Sequence, residues 1–213
     1  MASNDDHAAV QTYQSLMVEA KARALSIDTL TRDQRGIPSP LIHEYGVLQI
    51  RMLCEIIGLG CLVAHGDLVK QSSHLVKKAY KPGEIFAELE KLHSDFFPVP
   101  MRPEKTEAGW HMADYTGGPY AAKSEIIKIW NSCGDILHRG SLKRLVKEQN
   151  PVQKDFSDLN QWGQKILNLL SNHRILRENR RQVIVTFLQV DDLSGTVQVV
   201  IAETPDAEPE GAA

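Results

Sequence analysis

The chain has 213 residues, of which 42% are hydrophobic, 24% charged and 6% aromatic, and its formal net charge is −3. That length holds one domain, or one domain with an appendage, and the apolar fraction is large enough to bury a core, which excludes a wholly disordered chain. A pI near 6.2 excludes nucleic-acid binding through bulk charge and leaves only a local basic patch for that purpose.

Residues 6–31 place Val10, Tyr13, Met17, Ala20, Ala24 and Ile27 at steps of three and four, the period of a long helix, with Asn4 or Asp5 as its cap. Arg35-Gly-Ile-Pro-Ser-Pro40 interrupts that pattern. A second long helix is predicted over 41–64, closed by Gly66. Its most apolar part, Met52–Ala64, contains Glu55, follows Arg51 and stops at His65. That is short of the ~20 apolar residues of a membrane span, so the segment is expected at the centre of a bundle and not in a membrane. Shorter helices are predicted over 67–79 and 84–94, the latter after Lys81-Pro82-Gly83.

Residues 97–119 mix prolines and glycines with Trp110, His111 and Tyr115 in no regular period, which predicts a long functional loop packed on something. Helices are predicted again over 121–138, 141–148 and 153–173. The period then changes. Gln182–Val190 and Thr196–Ala202 are β-branched and flank Asp191-Asp-Leu-Ser-Gly195, the signature of a β-hairpin. The predicted class is therefore mainly α: a helical bundle built on two long helices, with a C-terminal β-hairpin extension. The expected division is a bundle over 6–150, a helix plus hairpin over 151–203, and a disordered acidic tail over 204–213.

Three cysteines form no disulfide framework, and Met1-Ala-Ser-Asn-Asp-Asp6 has neither the basic nor the apolar region of a secretory signal. A cytoplasmic location is expected. The exposed hairpin and the glycines of the central helix predict a homodimer, with a protein partner as a further expectation.

Four constellations carry candidate chemistry. The first is Trp130-Asn-Ser-Cys-Gly-Asp-Ile-Leu-His-Arg-Gly140. His138 closes a helix and Gly140 caps it, which is a structural role; an exposed helix-end histidine also serves as a general acid or base. The second is the stripe Arg51, Cys54, Gly58, Cys61 and His65. Two thiols and an imidazole suit zinc, yet no Cys-x-x-Cys pair is present, so the stripe reads as a packing seam and neither metal nor cofactor is expected. Third, Arg51 and Glu55 lie one turn apart in an apolar helix, where charges pair or else aim at a ligand phosphate; Glu44, about two turns earlier, could share that face. Fourth, Arg174, Arg177, Arg180 and Arg181 crowd the connector before the hairpin, a solvated charge run or an RNA footprint with aromatic stacking nearby. Phosphate loops, dinucleotide fingerprints, nucleophile elbows and His-Glu-x-x-His pairs are absent from the sequence.

The helix layout and Leu137-His-Arg-Gly140 together resemble the HEPN superfamily, all-α nucleotide-binding and ribonuclease domains common in bacterial toxin and phage-defence systems; the similarity covers residues 8–148. Active members of that family place an arginine and a polar residue before the histidine. Asn131, Ser132 and Cys133 stand there, and none is arginine. The resemblance therefore carries over His138, with Asn131 as the polar neighbour, and implies a non-catalytic binding or regulatory module in a stress or defence setting. A divergent metal-independent ribonuclease would use His138 with Arg51 or Arg139. A third expectation is a structural protein that only oligomerises.

Overall fold

The computed structural model describes residues 4–34, 36–66, 79–107, 109–138, 156–177, 180–189 and 195–203. The helices expected over most of 67–79 and over 141–148, together with Arg139, Gly140, most of the 191–195 turn and the acidic tail, lie outside those residues.

Five helices and five strands are formed by the described residues: α1 (Asn4–Arg32), α2 (Ser39–Ala64), α3 (Pro82–Leu92), β1 (Val99–Thr106), β2 (Gly109–Asp114), α4 (Lys123–Leu137), α5 (Ser157–Leu170), β3 (Asn172–Leu176), β4 (Gln182–Phe187) and β5 (Gln198–Glu203). The strands make one antiparallel sheet in the order β2-β1-β3-β4-β5. This corrects the expected fold class. The chain is not a two-helix-based bundle carrying a lone hairpin, but a helical layer packed on a five-stranded sheet.

The helix periods held where the pattern was strong. Tyr13, Met17, Ala20, Ala24 and Ile27 are buried along α1, and α2 is buried on most sides at the centre of the core. By length and hydropathy α2 could cross a membrane, but 61% of its most apolar window is buried inside the protein. Its glycines bring neighbours close. A Cβ on Gly58 would sit 3.2 Å from Ile85 Cδ1, and one on Gly60 3.0 Å from Tyr13 Cε2. The glycine seam is thus used within the chain, as is one edge of the C-terminal hairpin, which pairs with β3.

The expected 97–119 loop is largely a second hairpin, β1–β2, turning at Gly109, whose φ of +121° favours a residue without Cβ. Pro100 and Pro103 hid the strand period. β1 meets β3 only at Val99 and Pro100, so most of its other edge is open, where proline is tolerated. The sequence pattern ends a helix at 173 and makes the rest of β3 part of the arginine-rich connector. The helix stops at Leu170, and His173 and Ile175 then alternate inward while Arg174 points out.

Candidate functional site

Of the sequence-derived candidates, Arg51 and Glu55 of α2 meet α4 at Trp130 and Gly134. Arg51, on α2, lays its guanidinium 4.0 Å from the centre of the Trp130 ring. Its Nε lies 3.4 Å from Glu55 Oε1, and the same oxygen accepts the Trp130 Nε1–H bond at 2.9 Å. Gly134 makes the arrangement sterically feasible. A Cβ there would stand 2.8 Å from Arg51 Nη1, inside contact distance. Arg51 and Glu55 keep only 22% and 15% of their side-chain exposure, so the pair is largely withdrawn from water and screened less than a surface pair.

His138 follows one turn later as the C-cap of α4 and is exposed; its backbone N–H donates to the Gly134 carbonyl at 3.1 Å. Asn131 is exposed on α4, and its side chain makes no hydrogen bond among the described residues. Gly134 is thus reached by the Arg51 side chain and by the His138 backbone N–H, whereas Arg139 lies outside the described residues.

The interior beneath this site is apolar. Burial, then the neighbouring Cys133 thiol, push Cys54 well above the ordinary thiol range. Burial also pushes Cys133 up to about 12, against the pull of Arg51. Cys54, Cys61 and Cys133 are all free and buried. His65 is engaged at both ring nitrogens, Nδ1 lying 2.9 Å from the Cys61 carbonyl and Nε2 3.1 Å from the Leu176 carbonyl. The Cys54–Cys61–His65 stripe packs in the core, and no cluster of metal-ligand type is found among the described residues.

The four arginines of the connector do not act as one patch. Arg177 is buried, donating to Asp6 and, at 2.7 Å, to Gln182 Oε1. Arg180 bonds Asp95 at 3.0 Å. Arg174 stands exposed on the outer face of the sheet, and Arg181 is exposed and partnered elsewhere.

The sequence reading of the Trp130–Gly140 segment gives Trp130 and Gly134 no role of their own. The signal that links them is their i, i+4 spacing, which presents a ring and a gap on one face of α4.

No family model, curated protein or solved structure matches this chain.

Proposed function

We propose that this protein is a non-catalytic, HEPN-like binding module that holds a phosphate-bearing ligand, RNA or nucleotide, at the C-terminal end of α4. The observation that carries this reading is Arg51 stacked on Trp130 over Gly134, one helical turn before the exposed His138. A guanidinium fixed by a ring and a carboxylate has lost its rotamer freedom before the ligand arrives, which lowers the entropic cost of binding. The helix end itself presents carbonyls that repel phosphate, so binding requires the Arg51 guanidinium as well as His138. Arg51 shares its charge with Glu55, which suits holding a phosphate more than stabilising the extra charge of a cleavage transition state. The stress or defence setting enters through the resemblance alone. A homodimer enters through Leu41 and Leu48, exposed two turns apart on α2, and light scattering of the purified protein measures it.

The test is fluorescence anisotropy of a labelled single-stranded RNA, with EDTA present throughout. Saturable binding is expected, weakened about tenfold in Arg51→Met and in His138→Ala, with the RNA intact. Cleavage that disappears in His138→Ala would replace this reading with the ribonuclease. Absence of binding by the folded protein would remove it.

A further inference from the structure

The outer face of the sheet carries a feature that the α2–α4 site does not use. Along β3, His173 and Ile175 point into the core, so Arg174 and Leu176 point away from it. The register sets Arg174 between Val99 on β1 and Val185 on β4, and sets Leu176 beside Val183. These side chains, with Met101, floor a cleft of about 940 Å³. Phe97, Tyr120 and Lys123 stand among its walls. The volume lies at the upper end of the range for small-molecule sites, and a largely apolar lining with a single well-placed charge is how such sites are built.

Arg174 is that charge. It occupies the middle strand of the sheet and has valines on both sides, and its guanidinium makes no hydrogen bond or ion pair among the described residues. The other charged groups at the cleft differ from it. Lys123 is bound to Glu90, and Asp95 to Arg180. Glu203 lies three residues beyond Val200, which pairs with Val185, so its Cα is roughly 14 Å from that of Arg174. One unpaired guanidinium in an apolar floor, with two carboxylates at the rim, matches a single negative charge and disfavours a dianion.

We propose that this cleft binds a monoanionic amphiphile, a carboxylate on an apolar chain, with its head forked by Arg174 and its body over Val99, Met101, Val183 and Val185. The apolar body supplies the bulk of the affinity by leaving water, and the arginine selects the sign of the head. The site is separate from the α2–α4 contact and its occupancy does not depend on RNA binding.

Isothermal titration calorimetry with dodecanoate, below its micelle concentration, tests this against dodecyltrimethylammonium, which has the same chain and the opposite charge. Saturable one-to-one binding of dodecanoate is expected, with none of the cation. Arg174→Gln should weaken dodecanoate at least about tenfold, since a charge-assisted pair is lost. Val183→Glu should abolish it by adding a carboxylate to the floor. Near-UV circular dichroism checks that both variants are folded. Equal binding of the two amphiphiles, or unchanged affinity in folded Arg174→Gln, would reduce the cleft to non-specific adhesion and overturn the proposal. So would the absence of saturable heat at millimolar dodecanoate with the native protein.

Discussion

The Tyr13 hydroxyl donates a hydrogen bond to His173 Nε2 at 2.7 Å, tying the middle of α1 to β3 across 160 residues of sequence. Both groups are buried. His173 Nδ1 lies 2.9 Å from the Leu170 carbonyl, which can only accept, so the proton sits on Nδ1 and Nε2 is left to receive the tyrosine. The Tyr13 ring also lies against Gly60, where a Cβ would come within 3.0 Å of its Cε2. One side chain thereby joins α1, α2 and the sheet. Tyr13→Phe keeps the ring and removes the bond, leaving Nε2 buried without a donor. A loss of about 1–3 kcal/mol is expected from the urea midpoint, and an unchanged midpoint would show that water replaces the hydroxyl.

Burial lowers the pKa of His173 to about 4, with the Leu170 hydrogen bond acting in the opposite direction. In the unfolded chain the same histidine protonates near pH 6.5. Above that pH neither state binds the proton and nothing is lost. Between about 6.5 and 4 the unfolded state takes it up and the folded state does not, so stability falls as pH falls, by on the order of 3 kcal/mol. His65 is lowered too, chiefly by burial, and adds a loss of the same sign from the same starting pH. Urea midpoints measured across this range should decline steadily toward acid. A flat profile would contradict the burial of His173.

Arg177 and Asp6 form an ion pair between α1 and the end of β3, with side-chain exposures of 8% and 11%. Arg177→Ala removes one partner and strands the carboxylate, which is expected to lower stability by about 3–5 kcal/mol. Replacing both, as Asp6→Leu with Arg177→Met, should recover much of that in thermal melts, because no buried charge is then left alone. A double variant no more stable than Arg177→Ala would show that the pair's worth lies in its other bonds, such as that to Gln182.

Two glycines, where a Cβ would meet a neighbour at 3.0 Å (Gly60) and 2.8 Å (Gly134), are expected to respond differently to alanine. At Gly60 the new Cβ meets the Tyr13 ring, which its bond to His173 holds in place, so a loss of about 1–3 kcal/mol is expected. At Gly134 it meets the Arg51 guanidinium, which must leave the Trp130 ring to make room. The gain of roughly 1 kcal/mol in helix propensity then offsets the lost ring contact, and melting should change little. Trp130 emission should shift and RNA affinity should fall. An unmoved emission spectrum in Gly134→Ala would mean that Arg51 does not rest there.

The three thiols offer a simpler measurement. Cys54, Cys61 and Cys133 are buried, and burial raises the pKa of each. The thiolate is the reactive form, so Ellman's reagent at mildly alkaline pH should find no fast-reacting thiol in the native protein and all three once it is unfolded. A fast native reaction would place a cysteine at the surface.

The sequence by itself determined the elements whose period is carried by side chains. Val10, Tyr13, Met17, Ala20, Ala24 and Ile27 announce α1, the apolar run before His65 announces α2, and the β-branched residues around 182–202 announce β4 and β5. It also named Arg51, Glu55 and His138 as chemically eligible. Tertiary structure alone decided the rest. The strand period of β1 is masked by Pro100 and Pro103, and that of β3 by its arginine and by the helix ahead of it. Each strand pairs with the strand that follows it, but the β1–β3 pairing at Val99 and Pro100 that joins the two hairpins into one sheet links segments far apart in the sequence, which no local window contains. The arginines show the same division. Arg174 and Arg177 are three residues apart in one connector, yet one faces an open cleft and the other a buried aspartate from the far end of the chain. Charge and spacing are properties of the sequence. Which groups meet, and whether water reaches them, is decided by packing.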